Sequence, residues 1–551
     1  MSAPLCTDLL GERVVLLHNW PMSPISRRFA LASLLSGVLV LIAAITPIAA
    51  SGAEEKHRLR IVDAFSEGVS SGSEIHAVPE EQVQKIMNNE PNDIQGTRKF
   101  CETLNSDACK EKTGLGLRIF LPACDATIVN YCIDGLAISS SGDTLTDGTL
   151  LGYTTARRYA ADPTRGVPEA ATTSRWKVPN ALNAASTDTY AVKVLLDGYL
   201  SANSKNLFVF QVSALVEPYL EISTANSFAV ECTSWQSGSA CGVRKDFAAG
   251  QKTRLSVRLP NTITGWLHGR LKGASISVDT YDATQNRLTV TAENVRVPEL
   301  DTELSLTEMD ALPNPAYFRP GGRQWNSVNA GNPASLEWVR QLAKPLNDKA
   351  TGEHTTWAFN TIPNNRGNNQ CFKDTKSVLG VVMTNSLVYA PGAPDFDGTQ
   401  LNYQVGGLHF KADGKTLNEG TYDLIMRSET ARCLYNFTNA PISASVSVTY
   451  ADGGEAKIAT TSLSEKDGWL HLGAYGFTFS SPVLRVKLNG VPKTLPKTNP
   501  TPTESKSQQQ PAAQNSKNSP TKNYNVTCVK GKITKKIIAA KPMCPSGWKK
   551  K

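Results

Sequence analysis

The chain is 551 residues long, 40% hydrophobic, 19% charged and 7% aromatic. That apolar share supports packed cores over several domains of roughly 100–200 residues and excludes whole-chain disorder. Only one segment is long and apolar enough to span a bilayer, which excludes a polytopic membrane protein. The formal charge is +8 and unevenly spread: residues 491–551 hold thirteen Lys and one Glu, a formal +12, which leaves −4 for residues 1–490. A nucleic-acid-binding fold carries its positive charge on the folded body, so no nucleic-acid partner is expected.

Arg27 and Arg28 precede an apolar run from Phe29 to Ile45, and small residues follow in Ile48-Ala49-Ala50-Ser51-Gly52-Ala53. This is the order of a secretory signal peptide and predicts cleavage after Ala50 or Ala53. If retained, Phe29 to Ala50 would be long enough to act as an N-terminal membrane anchor. Met22 is an alternative start for such a signal. Residues 1–53 are therefore set apart from the fold.

Eleven cysteines are present, and Cys6 lies ahead of the cleavage zone. The remaining even number in an exported chain reads as disulfides. Spacing suggests local clips of Cys101 with Cys109, Cys124 with Cys132, Cys232 with Cys241 and Cys528 with Cys544. Cys371 and Cys433 then remain as a longer-range pair. The first four cysteines can pair three ways, and spacing does not choose among them. The chain has no short C-x-x-C knuckle, so a zinc site is not expected.

Residues 54–112 are mixed. Pro79 to Met87 reads as a short helix with Glu80 and Glu81 near its positive N-terminal end. From residue 113 to 300 the pattern is one of short β-branched and aromatic runs, such as Leu115 to Leu121, Tyr190 to Leu196, Arg254 to Leu259 and Leu288 to Val295. Asp279 to Arg287 reads as a hairpin connection. Residues 301–355 read as a connector with one helix, capped by Asn332, with Pro333 in its first turn, Leu336, Val339 and Leu342 at helical spacing, and Pro345 as its stop. Strand patterns resume over 356–490, with hairpin turns signalled at Asp413-Gly414, Asp452-Gly453 and Asp467-Gly468. Residues 491–523 contain six prolines and no aromatic residue, which describes an extended, disordered linker. Residues 524–551 form a small basic tail bounded by Cys528 and Cys544. The expected fold is mostly β: two tandem β-sandwich-like domains with few short helices, a linker and a disulfide-closed tail.

Two strings recur in the same order. Asp147-Gly148-Thr149-Leu150-Leu151-Gly152-Tyr153 matches Asp397-Gly398-Thr399-Gln400-Leu401-Asn402-Tyr403, and Gly265-Trp266-Leu267-His268 matches Gly468-Trp469-Leu470-His471. Between them Thr189-Tyr190 and Thr421-Tyr422 each open a strand, and Cys232 and Cys433 follow. The shared order predicts an internal duplication. Trp266 and Trp469 are read as core residues behind a turn glycine rather than as a sugar-stacking platform. Asp147 and Asp397 are read as turn carboxylates that bond nearby backbone N–H groups rather than as calcium ligands.

No catalytic, cofactor or metal residue is assigned. Gly68-Val69-Ser70-Ser71-Gly72 fits G-x-S-x-G but lacks the apolar strand and following helix of a nucleophile elbow. The histidines beyond the signal show no ligand spacing. Leu495-Pro496-Lys497-Thr498-Asn499 resembles a sortase signal, but no hydrophobic stretch follows to hold the chain in a membrane.

The tail reads Thr527-Cys528-Val529-Lys530-Gly531-Lys532, then Lys535-Lys536, then Lys541-Pro542-Met543-Cys544-Pro545-Ser546-Gly547-Trp548-Lys549-Lys550-Lys551. It resembles a C-terminal module of uncharacterised exported actinobacterial proteins, with a C-V-K-G-K start and a C-P-x-G-W-K-K-K end. Gly420 to Leu424, Ala431 to Tyr435 and Asp467 to Leu470 are similar to the bodies of such proteins. The resemblance implies a bacterial envelope location and brings no known activity. Clustered Lys near an anionic surface gains on the order of 1 kcal/mol per charge, reduced by salt. Lys530, Lys532, Lys535, Lys536, Lys541, Lys549, Lys550 and Lys551, with Trp548, are therefore the expected contacts to an anionic envelope polymer or lipid headgroups. The expected function is an exported, envelope-associated surface or binding protein with a glycan or protein ligand on its β domains. A secreted polysaccharide hydrolase and a structural surface-layer component are the alternatives.

Overall fold

A computed structural model of the chain describes residues 56–61, 72–110, 113–140, 142–223, 232–263, 265–311, 336, 339, 346–362, 370–372, 378–390, 392–439, 441–449, 460–479, 483–492, 524–530, 533–539 and 549–550. The expected signal segment, Ser70, residues 493–523 of the linker and the Asp452-Gly453 turn lie outside these residues. Among the described residues strand accounts for 55% and helix for 9%, which places the chain in the mostly β, sandwich-like class.

Local sequence explains the commonest strands. In Lys252–Pro260, Thr253, Leu255, Val257 and Leu259 are buried while Arg254, Ser256 and Arg258 are partly exposed. That is the two-residue alternation of a strand with one covered face. Val378–Thr384 and Gly265–Arg270 are instead buried at every position, the pattern of strands covered on both faces.

These two strands mark the middle of a long central sheet. Its path runs from Lys99–Phe100 through Glu74–Val78, Gly114–Phe120, Thr189–Leu200, Phe208–Ser223, Gly352–Ile362 and Gly265–Arg270 to Val378–Thr384, Glu419–Arg427, Trp469–Thr478 and Thr460–Lys466. Neighbours on this path are antiparallel, except that Gly265–Arg270 runs parallel to Val378–Thr384.

Two smaller sheets cover opposite faces of the central one. The first joins Lys272–Thr280, Gln285–Glu293, Lys252–Pro260, Cys132–Ser139 and Leu145–Asp147. It shares a core with Tyr190, Val192, Val194, Leu267, Val381 and Met383 of the central sheet. The second joins Val388–Tyr389, Leu401–Gly406, Val483–Asn489 and Ser443–Thr449. Its core takes in Trp266, Val382, Tyr422, Leu424 and Leu472. Leu267 beside Trp266, and Val381 beside Val382, therefore project to opposite sides, as adjacent strand residues must. Two sandwich-like units are present, and they share one sheet. The Gly352–Ile362 strand, which begins within the expected 301–355 connector, lies between Phe208–Ser223 and Gly265–Arg270 of the first unit.

The recurring strings occupy unlike places. Tyr190 and Tyr422 each face their own unit's core from a central-sheet strand, although Tyr190 is the second residue of Thr189–Leu200 and Tyr422 the fourth of Glu419–Arg427. Trp266 lies in the second core, however, while Trp469 packs against the first. Leu151 is 48% exposed and its counterpart Leu401 is 1% exposed.

Helices are short. Glu80–Met87 forms as expected, with Glu80 and Glu81 in its first turn. Leu306–Asp310 is closed by a capping box between Ser305 and Glu308. Leu336 and Val339, the described residues of the connector helix, are buried with Leu300, Leu304 and Met309. The rest of that helix lies outside the described residues.

Candidate functional site

The four disulfides of the body are Cys101–Cys109, Cys124–Cys132, Cys232–Cys241 and Cys371–Cys433. The structure thus selects one of the three pairings that spacing allowed for the first four cysteines. Four such bonds suit an oxidising, extracellular environment. Among the described residues no helix is long and apolar enough to cross a membrane. Pairing of Cys528 with Cys544 lies outside the described residues.

The tail backbone is folded further than its sequence suggested. Tyr524–Lys530 pairs with Ile533–Ala539 on one side and Lys549–Lys550 on the other. The register sets Lys535 and Lys550 opposite Cys528, and Lys549 opposite Val529. Lys549 and Lys550 are exposed. Lys532, Lys541, Trp548 and Lys551 lie outside the described residues, as do the side chains of Lys530, Lys535 and Lys536.

Other residues singled out by sequence serve the fold. Trp266 is buried, and the Arg427 guanidinium lies 4.3 Å above the ring of Trp469. His268 is buried, with Nδ1 2.7 Å from the Tyr389 hydroxyl. Asp147, expected to bond backbone N–H groups of its turn, instead makes an exposed pair with Arg254 at 2.7 Å. Asp397 Oδ1 accepts from the N–H groups of Thr399 and Gln400, each at 2.9 Å, and Oδ2 accepts from Asn402 Nδ2 at 3.0 Å. The Asn402 and Thr399 side chains and these amides hold its carboxyl well below the usual carboxylate range. This carboxylate is engaged in its turn.

A cleft of about 290 Å³ lies where the N-terminal segment meets the first unit. Lys110, Arg165 and Lys205 line it together with Thr164, Ser201 and Asn203. These residues come from the short Asp107–Lys110 helix, the turn after Asp162, and the loop that leaves the Thr189–Leu200 strand.

Each wall is held by a local device. Cys101–Cys109 ties down the helix. Asp162 Oδ1 accepts from the N–H groups of Thr164 at 3.1 Å and Arg165 at 3.2 Å, which closes an Asx turn. The Arg165 Nε donates to Asp162 Oδ2 at 2.7 Å. Its Nη1 and Nη2 donate to the carbonyls of Cys109 at 2.7 Å and Leu104 at 3.2 Å. The Thr164 hydroxyl and Arg165 together hold the Asp162 carboxyl down at about 2. The third wall depends on Glu80 of the N-terminal helix. Its Oε1 accepts from the Ser201 hydroxyl at 2.6 Å and its Oε2 from the Ala202 N–H at 2.8 Å. Burial pushes the Glu80 carboxyl up, but the bonds from Ser201, Ala202 and Gln84 outweigh it and leave the group below its ordinary value.

Gly166 joins the second and third walls. Its φ is +79°, and a Cβ there would lie 2.1 Å from the carbonyl oxygen of Lys205. Only glycine permits this backbone turn and this approach at no steric cost. Asp162 and Glu80 are thus bound up in the walls, while the cleft itself is lined by three cations and no carboxylate. Asp107, which pairs with Lys110 at 2.7 Å, is 96% exposed, and a pair so open to water contributes little.

Sequence reasoning missed this cleft. Its residues come from segments up to 95 positions apart (Lys110 to Lys205), and no short motif joins them. Comparison with protein-family models and with curated proteins finds no match to this chain.

Proposed function

We propose that the chain is an exported binding protein held at a bacterial cell envelope by its basic tail. The observation that carries this reading is the segregation of charge: a formal +12 beyond residue 490 against −4 before it. Positive charge on a short appendage suits attachment to an anionic surface while the body stays clear of it. The four disulfides of the body support an exported location. The folded backbone of the tail, with Lys549 and Lys550 exposed on one strand, supports a compact basic surface rather than a loose run of charge.

The test is cell fractionation in the organism that encodes the protein, with and without residues 524–551. The full chain is expected in the cell fraction and is expected to leave it in a high-salt wash. The shortened chain is expected in the medium. Equal retention of both chains would overturn the reading.

A further inference from the structure

We propose that the cleft at Lys110, Arg165 and Lys205 binds a single sugar ring bearing one phosphate or carboxylate group. Three observations converge on this ligand. The first is the placement of charge: Lys110, Arg165 and Lys205 line the cleft, while the nearby carboxylates (Asp107 paired with Lys110, Asp162 with Arg165, and Glu80 bonded to Ser201) lie outside its lining. An oxyanion there meets the ammonium groups of two exposed lysines, which donate charge-assisted hydrogen bonds that salt weakens.

The second is size. About 290 Å³ is at the small end of ligand pockets. It suits one ring with its anionic substituent and is too small to enclose a chain of sugars. The third is construction. Thr164, Ser201 and Asn203 add hydroxyl and amide groups to the lining, which match the hydroxyls of a sugar. The Asx turn at Asp162, the Glu80 clamp, the Cys101–Cys109 bond and the Gly166–Lys205 contact fix the walls before any ligand arrives. A site already ordered loses less freedom on binding. Arg165, whose Nε, Nη1 and Nη2 bind Asp162, Cys109 and Leu104, acts as the positioning residue of the lining. Lys110 and Lys205 are exposed and supply the adjustable charge.

The proposal deepens the binding-protein reading and rests on it for where such a ligand is met. The test is titration calorimetry of the full mature chain with glucose 1-phosphate, glucuronate, glucose and inorganic phosphate. One of the two anionic sugars is expected to bind saturably, at least tenfold more tightly than glucose or inorganic phosphate, and less tightly as salt is added. Phosphate and carboxylate chemistry are separated by which of the two binds better. The double variant Lys110→Gln/Lys205→Gln is expected to weaken that binding about tenfold or more with an unchanged melting temperature. Lys205→Glu alone is expected to do at least as much.

Equal binding of glucose would overturn the proposal. So would inorganic phosphate binding as tightly as the sugar, which would mark an anion site only. Absence of saturation up to about 10 mM, a Kd weaker than useful recognition, or no effect of the lysine variants would do the same. Titration in solution does not depend on the tail, so loss of envelope retention and loss of cleft binding are read separately.

Discussion

Asp423 and Tyr475 meet on neighbouring strands of the central sheet, the tyrosine hydroxyl donating to the aspartate Oδ1. The other carboxylate oxygen accepts from the Gly273 N–H at 3.3 Å. Gly273 belongs to the outer sheet of the first unit and Asp423 to the second, so one buried carboxyl links the two. Burial pushes its pKa up to about 6 from 3.8, against the bonds from Tyr475 and Gly273 and the charge of Lys272, and Glu293 pushes it the same way as burial.

The sign of the pH effect follows. The folded state holds this proton more tightly than the unfolded state, so Asp423 costs stability once it must ionise. Its contribution is most favourable below about pH 4, declines between about pH 4 and 6, and is flat above. Two pH units correspond to about 3 kcal/mol. In Asp423→Asn the amide nitrogen donates to the Tyr475 oxygen while the amide oxygen accepts from Gly273, as the protonated acid does. Urea unfolding at pH 4 and pH 7 is expected to show a smaller loss on raising the pH for the variant than for the parent. Identical losses would remove this role for Asp423.

Lys193 and Glu217 form a buried ion pair at 2.9 Å on the face of the sheet away from the first core, each side chain 2% exposed. Ser234 donates to Glu217 at 2.9 Å, and Arg244 lies 3.7 Å away. Burial alone would push the Glu217 carboxyl up, but Lys193 and Arg244 hold it below its ordinary value. Glu217→Gln leaves the Lys193 charge buried without its counter-ion and is expected to cost about 3–5 kcal/mol. Lys193→Met/Glu217→Met is expected to recover most of that loss in urea unfolding, because the two fully buried charges are then gone and Arg244, at 19% exposed, still reaches water.

Gly380 lies under Trp266 in the second core. A Cβ there would fall 2.4 Å from Trp266 Cζ3 and 2.6 Å from the Ile425 carbonyl oxygen. Because the second obstacle is backbone, rotation of the indole does not relieve the clash. Gly380→Ala is expected to lower stability by about 1–3 kcal/mol, read as a fall in the urea midpoint with an unchanged slope.

The four disulfides close loops of different length. Cys371–Cys433 spans 62 residues, while Cys101–Cys109 spans 8. On the chain-entropy account the longer loop is worth about 4 kcal/mol and the shorter about 2.5 kcal/mol. Cys371→Ser/Cys433→Ser is therefore expected to lower the midpoint more than Cys101→Ser/Cys109→Ser. Equal losses would show that native contacts, and not loop closure, set the effect.

What was legible in the sequence was local. The Glu80–Met87 helix formed where acidic residues follow Pro79. Within Asp279–Arg287, residues 281–284 connect the strands Lys272–Thr280 and Gln285–Glu293, shorter than the span expected. Asp467 and Gly468, both with positive φ, turn the hairpin between Thr460–Lys466 and Trp469–Thr478. One local signal went unread: Ser305-Leu306-Thr307-Glu308 is a capping box and starts a helix.

What was hidden was long-range. Nothing in Gly352–Ile362 announces that it inserts beside Phe208–Ser223, because pairing partners leave no mark in a strand's own pattern. The recurring Gly-Trp-Leu-His string misled for the same reason. Trp266 and Trp469 share neighbours in sequence but face opposite sides of one sheet. The cleft was illegible because its cations sit on three separated segments, held by a glutamate from a fourth.

The shared strand also orders events in time. Trp357 and Phe359, part of the first core, are made more than a hundred residues after Tyr190 and Val212, which they join. Until residues 352–362 leave the ribosome, Phe208–Ser223 and Gly265–Arg270 have an empty slot between them and expose raw edges. The first unit therefore cannot close its sheet until that late strand has been made.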